Sequence, residues 1–207
     1  RCSRDWSSDV CSSDLERGLL GRYSWMGAGS RLVELEEAEG LDLPVVGYVS
    51  YDHVAHLEPT VPLPEEGRGF PESRLIVCET LVRFDHGAGI AEVIAGDAEE
   101  VAGRLEAGIP WRHEPRGSSG PIRRSPDRDR YIATVEQVKE HIVAGDVFQC
   151  VPSQRAERPT AASPLDVYRA LRRVNPSPYL FLLELDGIAL VGSSPERLVA
   201  CQDGRAS

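Results

Sequence analysis

The stretch NPSPYLFLLELDGIALVGSSPERL, residues 175–198, decides the fold class. Two apolar runs, 178–185 and 188–193, flank Asp186-Gly187, a dipeptide that favours a two-residue hairpin because both positions tolerate positive φ. Ahead of the first run, Asn175-Pro176-Ser177-Pro178 is a rigid stop, since proline removes a donor and restricts the residue before it. Behind the second run, Ser194-Pro195-Glu196 reads as a turn carrying a solvated carboxylate. Upstream, Ser163-Pro164-Leu165-Asp166 opens a helix with a cap and a first-turn proline, and Leu165, Val167, Tyr168 and Leu171 follow towards Val174. Antiparallel hairpins alternating with single helices imply an α+β fold, antiparallel sheets flanked by helices, and not a doubly wound sheet.

Further towards the N-terminus, Ser125-Pro126 offers another cap and first-turn proline. Ile132, Val135, Val138 and Ile142 then recur at helical spacing, and Gly145 ends the helix. Residues 148–155 read as a strand, and residues 107–124, rich in Gly, Pro, Ser and Arg, read as a linker. Residues 20–96 are β-rich, with runs at 45–51, 74–78 and 80–84 and a hairpin turn at Asp85-His86-Gly87 leading to Val93-Ile94. Asp97 is the expected cap of a short helix to 106, weakened by Gly103. After residue 188 the pattern is strand, turn, strand, and it stops just beyond the turn signal Asp203-Gly204. Residues 1–15, RCSRDWSSDVCSSDL, have neither helical nor strand periodicity and resemble translated adapter read-through, so they are expected to stand outside the fold together with Cys2, Trp6 and Cys11. The expected organisation is an artefact at 1–15, an N-terminal domain at 16–113, a linker at 114–124, and the start of a second domain at 125–207.

Composition narrows the classes of function. The formal net charge is −10 and no basic stripe exists, which argues against nucleic acid as a partner, because phosphate neutralisation needs clustered Lys and Arg. Lys139 is the one lysine among arginines, a sign of GC-rich coding. No apolar run is long enough to cross a bilayer and no signal-peptide pattern is present, so no membrane partner and a cytoplasmic location are expected. The five cysteines form no CxxC pair and have no His cluster at zinc spacing, and are read as reduced thiols.

Three segments stand out together: Gly145-Asp146-Val147-Phe148-Gln149, then Asn175-Pro176-Ser177-Pro178-Tyr179-Leu180-Phe181, then Gly192-Ser193-Ser194-Pro195-Glu196. Each alone is ordinary: a helix cap, a helix stop, a turn. In this order, with Tyr131 and Lys139 on the preceding helix, the set resembles the start of the chorismate-binding domain of the anthranilate synthase large-subunit family. Gly21-Arg22-Tyr23-Ser24 and Val46-Gly47-Tyr48-Val49-Ser50-Tyr51-Asp52 look like that family's N-terminal domain, with a deletion between Ser24 and Val46. The resemblance covers most of 16–207 and is strongest at 125–201. NPSPY followed by Leu-Phe points to the tryptophan branch.

The resemblance implies a lyase that adds ammonia to chorismate, expels the 4-hydroxyl, and eliminates pyruvate to give anthranilate. Glu196 matches the family's catalytic acid. A free glutamic acid, with pKa about 4.3, is ionised at pH 7, so burial or nearby carboxylates, the substrate's two among them, would have to raise it. Gln149 stands where water-adding relatives carry a lysine base; it cannot take a proton, which suits ammonia, and its implied role is orienting the nucleophile or substrate. Asn175, Pro176, Pro178, Tyr179 and Leu180 match an element of the family's L-tryptophan feedback site, whose other half, a Leu-Leu-Glu-Ser motif, is absent here. The family's Mg2+ ligands come after Ser207, so the chain as written is expected to be inactive, with sheet edges and apolar surface left bare. A glutamine amidotransferase subunit is the implied partner and ammonia source. Two other readings stand beside this one: the large subunit of aminodeoxychorismate synthase, which tends to NPxPF, and a non-catalytic module that binds a ligand or a glutaminase.

Overall fold

In a computed structural model of the chain, residues 9–11, 22–63, 70–108, 119–202 and 204–206 are described, the first three by their backbone alone. The elements in chain order are β1 (Asp9–Cys11), β2 (Tyr23–Ala28), β3 (Arg31–Val33), α1 (Leu35–Ala38), β4 (Val45–Val49), a 3-10 turn (Tyr51–His53), α2 (Val54–Leu57), β5 (Ser73–Val77), β6 (Thr80–Asp85), β7 (Ile90–Ala95), α3 (Ala98–Ala107), β8 (Arg123–Ser125), α4 (Arg128–Ala144), β9 (Arg155–Glu157), α5 (Pro164–Val174), β10 (Tyr179–Leu185), β11 (Ile188–Ser194), β12 (Cys201–Gln202) and β13 (Arg205–Ala206). Every strand pairing is antiparallel, and with the helices this is the α+β class that the hairpin signals implied.

The chain divides into two compact units, residues 1–111 with 163–207, and residues 112–162. Residues 163–207 fall in the first unit because β10 pairs with β1, which pairs with β2, while α5 and β11 pack on β10.

The first unit is built on a six-stranded sheet of order β11-β10-β1-β2-β6-β7 and a three-stranded sheet of order β3-β5-β4. Its tightest packing lies where α5 covers β10 and β11. Tyr168, Leu180 and Leu182, all 2 % exposed or less, form a cluster joined by Leu165, Leu171 and Val191. Strand alternation explains the choice: Leu180 and Leu182 share a face, and helix spacing sets Leu165, Tyr168 and Leu171 opposite them. The helix starts as its sequence indicated, with Ser163 accepting from the Asp166 N–H at 3.1 Å and Pro164 in the first turn. The Asp186-Gly187 turn also forms as expected, with φ of 46° and 80° at its two residues.

Of residues 1–15, expected outside the fold, Asp9–Cys11 pair with both β10 and β2. The slot between those strands offers backbone donors and acceptors on both sides, and an extended segment fills it whatever its side chains. The remainder of 1–15 and the start at Glu16 lie outside the described residues.

Asp85 closes the β6–β7 hairpin. Its carboxylate accepts from Arg22 Nη2 at 2.6 Å and from the backbone N–H groups of Gly87 and Ala88 at 2.9 and 3.0 Å. The Arg22 hydrogen bond first, and then the Ala88 N–H, the Arg22 charge and the Gly87 N–H, hold its pKa down to about 2 against the opposing effect of burial. A carboxyl whose folded pKa lies below its unfolded value stabilises the fold fully above that unfolded value, about 3.9, and loses the contribution as pH falls towards the folded one. The urea midpoint of the parent chain should therefore drop more steeply between about pH 5 and pH 2 than that of Asp85→Asn. Equal acid slopes would show that the Arg22–Asp85 pair does not stabilise the fold.

The second unit is thinner. Helix α4 forms, but its cap is Asp127, which accepts from the Arg130 N–H at 2.9 Å, while Ser125 is the last residue of β8. Arg123 and Arg124, at the end of the expected linker, thus form a strand with Ser125, paired with β9; residues 109–118 are outside the described set. Gly145 ends α4 as expected: its φ is 84°, its N–H reaches the Ile142 carbonyl, and the Asp146 N–H reaches that of His141. The strand expected at 148–155 does not form; only Arg155–Glu157 is extended and paired. Pro152, in the middle of that run, has no N–H for a ladder. No residue of α4 is buried, and Val143, Phe148 and Val151 stand in solvent.

Candidate active site

The β10–β11 hairpin brings two of the three motifs side by side. Its register sets Tyr179 opposite Ser194, Leu180 opposite Ser193 and Phe181 opposite Gly192. A run of serines then stitches the segments together. Ser193 Oγ lies 2.6 Å from the Asn175 carbonyl and 2.8 Å from Ser177 Oγ, sharing its one proton between them. Ser177 Oγ donates to the Ser194 carbonyl at 2.8 Å, and Ser194 Oγ donates to the Glu196 carbonyl at 2.8 Å. Ser177 is 7 % exposed, so the hydroxyls are partners for each other in a partly desolvated corner, where leaving one out is costly. In the sequence Ser177 reads as part of a rigid stop, Ser193 as the end of a strand and Ser194 as part of a turn, and none of the three is a candidate site residue. The signal that points to them is register: the hairpin turn fixes which residues of the two motifs oppose one another.

Gly192 has a steric reason to be glycine. A Cβ built there would sit 2.1 Å from Phe181 Cζ and 2.3 Å from Cε1, because the Phe181 ring lies across the glycine on the neighbouring strand. The ring shields backbone that glycine leaves open.

The candidate acid, Glu196, stands just past β11 with its side chain in solvent, and no hydrogen bond or ion pair reaches its carboxylate among the described residues. Gln149 is exposed in the irregular segment after α4 and belongs to the second unit, whereas Glu196 belongs to the first.

The five residues matched to an effector site do not form one apolar face. Asn175 ends α5, its N–H bonded to the Leu171 carbonyl at 2.8 Å, and Pro176 is exposed beside it. Pro178 and Tyr179 are half-buried. Leu180, 1 % exposed, is locked in the core with Tyr168. Consecutive strand residues point to opposite faces, so Tyr179 and Leu180 cannot both lie against one indole. Leu180 is thus a core residue of this cluster.

An apolar cavity of about 140 Å³ opens in the first unit, lined by Trp25, Gly27, Val46, Ile76, Leu81 and Leu185 among others. None of the candidate catalytic or effector residues named from the sequence lines it.

Magnesium takes oxygen ligands in near-octahedral geometry. Among the described residues the one converging set of three metal-binding side chains is His53, His56 and Glu72, and two imidazoles are poor donors for that ion. The described residues do not fit magnesium.

The chorismate binding enzyme family matches residues 21–207, and the chain belongs to that family. It is 38% identical over 241 aligned positions to the probable anthranilate synthase component 1 of Schizosaccharomyces pombe, covering 96% of this chain and 49% of that protein. It is 36% identical over 190 positions to anthranilate synthase component 1 of Mycolicibacterium smegmatis, covering 79% of this chain and 36% of the relative. The crystal structure of anthranilate synthase component I from Streptococcus pneumoniae superposes with a TM-score of 0.72 at 24% identity, over 94% of this chain and 55% of that one, and so shares the fold. The chain thus spans about half the length of the Schizosaccharomyces pombe relative. No helix among the described residues is long and apolar enough to cross a membrane.

Proposed function

We propose that this chain is part of an anthranilate synthase large subunit, a lyase of tryptophan biosynthesis acting in the cytoplasm. The observation that carries the reading is the hairpin that aligns the NPSPY and GSSPE motifs and ties them through Ser177 and Ser193, in a chain of the chorismate binding family. The reaction joins chorismate and ammonia and releases anthranilate, pyruvate and water. Residues 125–207 begin the chorismate-binding domain, after an N-terminal domain at 16–113. Because the chain spans half of its relative, the activity is assigned to a polypeptide that also carries the remaining family segments.

In this reading Glu196 protonates the departing 4-hydroxyl. Its exposed carboxyl meets the substrate without first breaking a bond within the protein, and the two substrate carboxylates beside it favour its neutral form. Gln149 orients the nucleophile or substrate by hydrogen bonds; an amide takes no proton, which suits ammonia. Glutamine is the ammonia source through an amidotransferase partner, and magnesium is the cofactor that the family implies. Asn175, Pro176, Pro178 and Tyr179 belong to a feedback element for L-tryptophan, with Leu180 acting from beneath as core.

The test is a chain extended to the length of its relatives and supplied with chorismate, magnesium and an ammonium salt. Fluorescent anthranilate with stoichiometric pyruvate is the expected product. Accumulation of aminodeoxychorismate without pyruvate would move the chain to the sister enzyme. No turnover with retained ligand binding would make it a binding module.

A further inference from the structure

The residues that best match a metal site lie outside all three motifs. The 3-10 turn Tyr51–His53 runs into α2, and this places His53 and His56 three residues apart on one face. Their rings stack with centroids 5.3 Å apart and 28° between planes. Both rings aim a nitrogen at one carboxylate: His53 Nδ1 lies 2.7 Å from Glu72 Oε1, and His56 Nε2 lies 2.9 Å from Glu72 Oε2. Backbone and side-chain bonds hold the opposing pieces in place. The Ser50 N–H donates to the Glu72 carbonyl at 2.7 Å, Tyr48 Oη donates to the Pro71 carbonyl at 3.1 Å, and Val49 pairs with Ser73 across β4 and β5. Three ligand atoms, two nitrogens and one oxygen, thereby lie within 4.8 Å of one another.

We propose that His53, His56 and Glu72 bind a zinc ion, with water completing the coordination. Two imidazoles and a carboxylate form a donor set that zinc accepts at about 2.0–2.2 Å, leaving a fourth tetrahedral position open. Tetrahedral bonds of that length set ligand atoms about 3.3 Å apart, and the three ligand atoms lie within 4.8 Å of one another, so side-chain rotations of His53, His56 and Glu72 close the set around an ion. His56 and Glu72 are open to solvent, which provides the entry path. Imidazole donors select zinc and its neighbours over magnesium. The ion would clip the 51–57 turn to the strand that begins at Ser73, a structural role separate from the chorismate chemistry.

The 207-residue chain, stripped with a chelator and with accessible thiols blocked, is titrated with zinc chloride by calorimetry. We expect one zinc per chain, no displacement by excess magnesium, and visible d–d bands without thiolate charge transfer when cobalt replaces zinc. The double variant His53→Ala/His56→Ala should lose the bound zinc. Because that variant also removes both hydrogen bonds to Glu72, Glu72→Gln serves as the second arm: it keeps the size and an acceptor oxygen, loses the charge, and should bind zinc more weakly than the parent. No binding by the parent, or unchanged affinity in either variant, overturns the site.

Discussion

Glu196→Gln, made in a chain extended to the length of its relatives, should lower anthranilate formation by about 10²–10⁴-fold, the range that general acid catalysis spans. The amide keeps the shape and cannot give up a proton to the departing hydroxyl. The fold should be untouched, because the Glu196 carboxylate is exposed and no hydrogen bond or ion pair reaches it among the described residues. Far-ultraviolet circular dichroism and the urea midpoint should match the parent while kcat falls with ammonium as the nitrogen source. Ammonium removes the amidotransferase from the measurement. Normal turnover in the variant would strike Glu196 from the mechanism and leave the family membership standing.

The second large effect is on stability. Leu182 is fully buried between Tyr168 and Leu180 in the cluster under α5. Truncating it to alanine removes the transfer free energy of the lost carbons and leaves a cavity that the helix cannot fully collapse into, a loss of about 3 kcal/mol. Against a typical domain stability of about 5–15 kcal/mol this is a large share. The urea midpoint and Tm of Leu182→Ala should both fall. Leu198→Ala is the matching control: that side chain stands wholly in solvent, and its truncation should move neither. Equal behaviour of the two variants would mean that α5 does not pack on β10 in solution.

Local chemistry was the legible part of the sequence. The Asp186-Gly187 turn, the Ser163-Pro164 and Asp97 helix starts and the Gly145 stop each depend on two or three neighbouring residues, and each forms where expected. The misses come from partners distant in the chain. The run at 148–155 has strand-like composition, yet Pro152 interrupts the ladder and the segment stays irregular. Ser125-Pro126 looks like a cap, but Ser125 is held by β9, thirty or so residues away, and Asp127 takes the role. The motif residues were visible as a set, but not their geometry: Leu180 reads as a ligand contact in the string and is core in the fold, since only the strand's alternation and α5 above it decide which way it faces. His53, His56 and Glu72 left no trace in the sequence reading, because the carboxylate arrives from beyond a sixteen-residue excursion.

The ring of Phe181 lying over Gly192 constrains how descendants of this sequence are able to drift. A methyl group gained at 192 while the ring is in place meets immediate collision, whereas trading the ring for a smaller side chain first leaves room for it. The order in which the aromatic changes before the glycine is therefore the less strained one, since the reverse order requires the ring to swing aside first.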